Sequence, residues 1–124
     1  MTHLDSQLAH GRRLLVVLIS PRDHQDQYAI SGIARWDGAS LWLDSDASRE
    51  PMLLTRPGSR LLLSDLTTET RLALRGGPLK QTVTAGWLES AECLALAPLD
   101  RMPPGAIAVP GAVSQAVVSQ LEAR

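Results

Sequence analysis

Cysteine, lysine, phenylalanine and asparagine are scarce or missing in this chain of 124 residues, which has one Cys, one Lys, and no Phe or Asn. The single thiol, Cys93, excludes an intramolecular disulfide and any zinc site built from several cysteines. The longest apolar run, residues 14–19, is far shorter than the ~20 residues that a membrane helix needs. We therefore expect a soluble, cytoplasmic protein.

An excess of either charge is also missing, since 12 Lys and Arg stand against 13 Asp and Glu. Apolar residues make up 44% and charged residues 20% of the chain, close to the average of globular proteins, which argues against disorder. A chain of this length has room for one hydrophobic core. The many arginines beside one lysine are typical of a GC-rich coding sequence, and we expect a bacterial source.

Two strand signals lie in the first half of the chain. Residues 12–20 are mostly apolar without alternation, which predicts a strand buried on both faces. Residues 28–44 are β-prone on either side of Asp37-Gly38, a dipeptide that favours a two-residue type I′ turn. The second segment is therefore predicted to be a β-hairpin with one apolar face.

The outer face of this hairpin carries two apolar side chains in a polar row. The two-residue turn places Ile33 directly opposite Trp42, with Arg35 on the diagonal. Exposed apolar islands mark interfaces, and tryptophan is favoured at binding hot spots. We therefore predict that Ile33, Arg35 and Trp42 contact a protein partner, most simply a second copy of the chain in a homo-oligomer. Cover by the chain's own arm or terminal helix is the alternative.

A second hairpin is predicted at Gly76-Gly77, where another β-prone pair of segments meets. Its outer face would gather Arg71, Arg75 and Lys80 as a candidate anion-binding site. Such a face could contact the phosphates of a nucleic acid. The net charge of −1 and the lack of aromatic side chains on that face make nucleic acid the less favoured partner.

The end of the chain differs in composition. Residues 98–112 hold four prolines and predict an extended arm. Residues 113–124 have a helical pattern, whose narrow apolar stripe must dock on the same chain or on a partner. We assign this stripe, together with the outer hairpin residues, to the partner interface: it consists of Val113, Val117 and Leu121.

The whole pattern predicts a mainly β fold. About seven short strands with tight turns are typical of a small antiparallel β-barrel or sandwich, here with short N- and C-terminal helices. Residues 1–97 form the predicted β domain with its N-terminal helix, residues 98–112 form the arm, and residues 113–124 form the last helix.

No catalytic or metal-binding constellation is evident in the sequence. His24 has acidic neighbours in a polar loop but lacks the further ligands that a metal site needs. The acidic residues between Asp44 and Glu50 resemble the start of a calcium loop, without its glycine and its last acid. Cys93 lies in a small apolar run and is expected to be a buried, inert thiol. These absences favour a non-catalytic binding or accessory protein without metal or cofactor.

One segment resembles a known family. The sequence RWDGASLWLDSDASRE, residues 35–50, is similar to the hairpin of the flavin-binding split barrels, and the resemblance covers less than a third of the chain. It implies an oxidoreductase with FMN as its cofactor. It also implies that Ser45, Ser48 or Arg49 contacts the flavin phosphate. This function is the alternative to a cofactor-free binding protein.

Overall fold

The chain forms one mixed β-sheet with short helices. The computed structural model describes residues 4–20, 27–55, 61–79 and 85–122. The strands are β1 (Arg13–Ile19), β2 (Gln27–Trp36), β3 (Leu41–Ser45), β4 (Met52–Leu53), β5 (Leu62–Asp65), β6 (Cys93–Pro98) and β7 (Ile107–Ala108). The helices are a 3₁₀ turn (Ser6–Ala9), α1 (Thr68–Arg75), α2 (Ala85–Ser90) and α3 (Gly111–Glu122).

The strand order is β4-β3-β2-β1-β6-β5, and β7 pairs with β2 beside this path. All pairs are antiparallel except β1 with β6, in which Leu14 lies opposite Cys93 and Ile19 opposite Pro98. The mainly β fold predicted from the sequence is thereby confirmed. The sheet is not closed into a barrel, because β4 and β5 lie at its two ends.

Strand β1 lies at the centre of the sheet and is buried on both faces, as its unbroken apolar sequence predicts. Its odd-numbered side chains, Leu15 and Val17, belong to a core that the helices cover. Its even-numbered side chains belong to a second core, to which β2, β3, β5 and β6 contribute.

Helix α3 docks on its own chain. It packs against β1, β5, β6 and α1. Its apolar stripe, Val113, Val117 and Leu121, is completely buried in the first core. The sequence leaves open whether this helix docks on the same chain or on a partner. In the structure it docks on the same chain. The three side chains are therefore core residues and have no exposed surface for a partner.

The predicted second hairpin is wrong, because its first half is helix α1. Thr67 caps this helix: its Oγ1 accepts a hydrogen bond from the backbone N–H of Thr70 at 3.1 Å. Gly76 and Gly77 follow its last turn and donate to the carbonyls of Leu72 and Leu74. The two glycines end a helix here instead of joining two strands. Helices therefore also occur in the middle of the chain, where the sequence analysis placed only strands.

The predicted first hairpin is present, with a register that differs by two residues. Trp42 lies opposite Arg35, and Ile33 lies opposite Asp44. The reason is the turn, which spans residues 37–40 instead of two residues, with the N–H of Asp37 bonded to the carbonyl of Ser40 at 3.1 Å. A shift of two keeps every side chain on its predicted face. The core face and the outer face are therefore as expected.

The proline-rich arm runs from the end of β6 to β2. It contains β7, a short strand that pairs with Tyr28 and Ala29 of β2. Gly105 lies against Ala47 in the connector after β3. Its backbone φ is +85°, and a Cβ at this position would lie 2.1 Å from the Cβ of Ala47. Within the described ranges, no helix has both the length and the apolar character needed to cross a membrane.

Candidate functional site

A groove lies between the end of the β3–β4 region and the proline-rich arm. Its volume is about 440 Å³. Trp42 of β3 and residues 50–53 form one side, and Pro98 with residues 100–104 forms the other. We call it the Trp42 groove. Its apolar lining consists of Trp42, Pro51, Met52, Leu53, Pro98, Met102, Pro103 and Pro104.

Trp42 is held in place by the chain itself. Its indole Nε1–H donates to Oδ2 of Asp37 at 2.8 Å. The guanidinium carbon of Arg35, its partner across the ladder, lies 5.7 Å from the ring centroid, within reach of a cation–π contact. Arg35 is fixed in turn by Asp44, whose Oδ2 accepts from Nε at 3.1 Å. The ring therefore has a defined orientation before any partner arrives.

Asp37 organises the turn that presents Trp42. One carboxylate oxygen accepts from the backbone N–H of Ala39 at 2.8 Å and of Ser40 at 2.7 Å. These backbone hydrogen bonds, from Ser40 first and Ala39 second, together with the Trp42 indole, lower the pKa of Asp37 from 3.8 to about 2. The carboxylate is thus ionised at any pH near neutrality, although it is exposed to solvent.

Among the described residues that line the groove, two are acidic and one is basic. Arg101 forms an exposed ion pair with Glu50 across the groove at 3.4 Å, and Asp100 also lines it. Asp37 and Asp44 flank Trp42 on the hairpin. Exposed pairs of this kind contribute little to stability. Their effect is on the local potential, to which the Asp37 carboxylate beside Trp42 adds a further negative charge.

The wall made by the arm is attached at both ends. Near its start, the N–H of Leu99 donates to the carbonyl of Ile19 at 2.8 Å, and the Leu99 side chain packs on the second core. Near its end, Gly105 contacts Ala47 and the arm continues into β7. The prolines between these points have restricted backbones. The groove is therefore preformed between fixed segments.

The predicted interface residues of the hairpin lie together on its outer face. Ile33, Arg35 and Trp42 are half-buried, and Asp44 is exposed. Ile33 and Trp42 are diagonal neighbours because of the shifted register. We call these four residues the hairpin surface. Leu53 of β4, which lies opposite Trp42, extends the same face toward the groove.

Two residues of the predicted basic hairpin face, Arg71 and Arg75, lie on helix α1 instead of a strand. Arg71 points back to α2, where its guanidinium donates to the carbonyls of Leu88 and Ala91. Arg75 forms an ion pair with Glu89. Arg71 therefore satisfies carbonyls at the C-terminal end of α2. Lys80, the third residue of this candidate anion site, lies outside the described residues.

The residues implied by the flavin resemblance lie at the end of β3 and in the connector after it. Ser45 Oγ accepts from the N–H of Ala47, and Ser48 Oγ accepts from the N–H of Glu50, each at 3.1 Å. Arg49 is exposed. Two hydroxyls and a guanidinium are donors that suit a phosphate. None of the three lines the Trp42 groove.

Cys93 is completely buried, and burial raises the pKa of its thiol to about 11. It is therefore a neutral thiol in the second core, as the sequence predicts. His24 lies outside the described residues. The part of the chain that the structure describes holds no cluster of three or more His, Cys, Asp and Glu side chains placed to bind a metal ion.

Sequence reasoning found Trp42 and missed the groove beside it. The groove exists because the arm crosses to the connector after β3, and no local pattern predicts that contact. Met102 is the clearest missed residue: it is 49% exposed at the groove. A methionine between an aspartate-arginine pair and two prolines is the available signal in the sequence.

Comparisons with protein families, with curated proteins and with solved structures find no match to this chain.

Proposed function

We propose that this chain is a non-catalytic binding or accessory protein that acts through protein–protein contacts, and that it associates with a second copy of itself through the hairpin surface. The observation that carries the proposal is Trp42, a large aromatic side chain held in a fixed orientation on an outer sheet face. Fixed aromatic side chains of this type supply binding energy at a small entropic cost.

The charges of the hairpin surface agree with pairing of two identical surfaces. Arg35 and Asp44 carry opposite charges side by side. In a two-fold contact each surface meets its own copy, so a patch must complement itself in charge and shape. Ile33 and Trp42 supply the apolar centre, and the Arg35–Asp44 pair can exchange partners across the axis.

Replacement of Trp42 by alanine tests this proposal. Wild-type protein should sediment as a dimer or larger species, and Trp42→Ala should weaken association by about 2 kcal/mol, or about 30-fold in Kd. Sedimentation velocity over a concentration series measures this directly. Ile33→Gln should weaken it in the same direction. Leu72→Ala is the matched control, because Leu72 is 58% exposed on α1 and does not belong to the surface.

Wild-type protein that sediments as a monomer throughout the series would overturn self-association. So would a Trp42→Ala variant with an unchanged sedimentation profile. Urea unfolding of each variant verifies that the fold is intact, so a change in association is not confused with loss of structure.

The flavin-binding alternative is supported by a different observation. Ser45, Ser48 and Arg49 place phosphate donors in one short connector, and the nearby groove of about 440 Å³ has the size of a small-molecule site. Purified protein should then carry a yellow chromophore or bind added FMN in equilibrium dialysis. Colourless protein that retains no FMN would exclude this function.

A further inference from the structure

We propose that the Trp42 groove binds an extended segment of a partner protein that carries both apolar and basic side chains. This goes beyond self-association, which uses the hairpin surface. The two proposals share Trp42 and differ in every other residue. An experiment can therefore contradict one of the two proposals without contradicting the other.

The position of β4 favours an extended segment. Its two residues, Met52 and Leu53, form the last strand on this side of the sheet. Within the described ranges, no backbone hydrogen bond joins the outer edge of β4 to another segment. An edge of this kind offers hydrogen bonds to a strand laid beside it, a common mode of peptide recognition. Both residues of β4 line the groove.

The lining of the groove favours apolar side chains in the segment. Trp42 and Leu53 are opposed on one face of the strands, and Met52 faces the other way. Met102 reaches the groove from the arm. Methionine side chains adapt to apolar groups of different shape, whereas the prolines keep the wall rigid. The groove can therefore hold aliphatic side chains without a large loss of conformational entropy.

The charges favour basic side chains in the same segment. Among the described residues, Glu50 and Asp100 line the groove together with Arg101, and the Asp37 carboxylate accepts from the Trp42 indole beside it. The lowered pKa of Asp37 keeps its carboxylate ionised. A basic segment is attracted to this field, and an acidic peptide or a nucleic-acid phosphate is repelled. Charge complementarity thus selects a basic partner segment over a nucleic acid.

Two matched peptides test the proposal on the intact protein. The probe is a fluorescein-labelled peptide of roughly ten alternating valine and lysine residues, long enough to lie along the edge as a strand. The control peptide has glutamate in place of lysine. Fluorescence anisotropy should give a Kd of about 100 μM or tighter for the lysine peptide, and at least about tenfold weaker binding for the glutamate peptide.

Charge variants at Met102 locate the binding site. Because Met102 is 49% exposed, substitution there should leave the fold intact. Met102→Lys should weaken binding of the lysine peptide about tenfold, and Met102→Glu should preserve or tighten it. Leu72→Lys, a new charge at another exposed apolar position, should leave binding unchanged.

Several results would overturn the proposal. They are a lysine peptide that does not bind at about 1 mM, equal binding of the two peptides, and equal binding to the two Met102 variants. A Met102→Lys variant that loses self-association without any peptide binding would assign the groove to a second copy instead. Sedimentation without peptide is measured separately, so failure of the groove is distinguishable from failure of the hairpin surface.

Discussion

Gly32 is the residue that sets the distance between β2 and β3. It lies opposite Ser45, and a Cβ at Gly32 would lie 2.5 Å from the backbone carbonyl oxygen of Asp44. Backbone atoms cannot move aside as the end of a flexible side chain can. The close approach of these strands therefore requires the absence of a side chain at this one position, and it fixes Asp44 where it pairs with Arg35.

Gly32→Ala should destabilise the protein by about 1–3 kcal/mol, because the added methyl group forces the strands apart. Urea unfolding followed by circular dichroism measures the change. Gly86→Ala is the control, since a Cβ at Gly86 in α2 meets no atom within 4 Å. This helical position should gain up to about 1 kcal/mol from the better helix former. A Gly32→Ala variant as stable as the wild type would show that the strands can separate at no cost.

At the scale of an element, the turn of the first hairpin explains how far the sequence could predict the fold. The Asp-Gly signal identified the hairpin and both of its faces. It failed on the register, because the Asp37 carboxylate accepts from Ala39 and Ser40 and stabilises a longer turn. Gly38 alone has a positive φ there, whereas a type I′ turn needs two such residues. The contact that sets the register is made by the Asp37 side chain, and the alternation of apolar and polar residues along the strands does not reveal it.

Helix α1 shows a different limit of sequence reasoning. Alternating apolar residues after Gly76-Gly77 suggested strands, but the capping by Thr67 and the packing of Thr70 and Leu74 one turn apart favour a helix. Its short length hides the helical period from a pattern analysis. The arginines predicted for an anion site were thereby placed on the wrong element.

The turn also predicts a pH dependence. The pKa of Asp37 is lowered from 3.8 to about 2. Its ionised form therefore stabilises the folded state above the unfolded-state pKa, and this contribution is lost as the pH falls from about 4 toward 2. Asp37→Asn should be less stable than the wild type at neutral pH, and the difference should narrow across this interval. Urea midpoints at a series of pH values measure it. A difference that is constant with pH would contradict the assignment.

At the scale of the whole molecule, the sheet has two cores, and α3 completes one of them. Val113, Val117 and Leu121 are fully buried against the sheet. The sequence predicted this helix and its apolar stripe, but periodicity cannot tell which surface a stripe meets. The same holds for the groove, which depends on where the arm passes. Local patterns thus predicted the central strand, the first hairpin and one wall of the site, and long-range contacts supplied the rest.

A chain shortened to end at Pro110 should not fold cooperatively, because removal of α3 exposes the first core. The thiol of Cys93 reports on this, since it is completely buried in the second core and its pKa is about 11. A thiol reagent at neutral pH should leave the full chain unmodified and label the shortened chain rapidly. Slow labelling of both chains would show that the sheet is stable without its helix.

The pairing of β1 with β6 also has a consequence for the synthesis of this protein. The central strand obtains one neighbour, β2, early in translation, but its other neighbour only after residue 98 has left the ribosome. Until then, an apolar strand has an unpaired edge, which is a template for association with other nascent chains. Such distant pairing also slows folding. The stage of greatest aggregation risk therefore falls before the arm and the last helix are made.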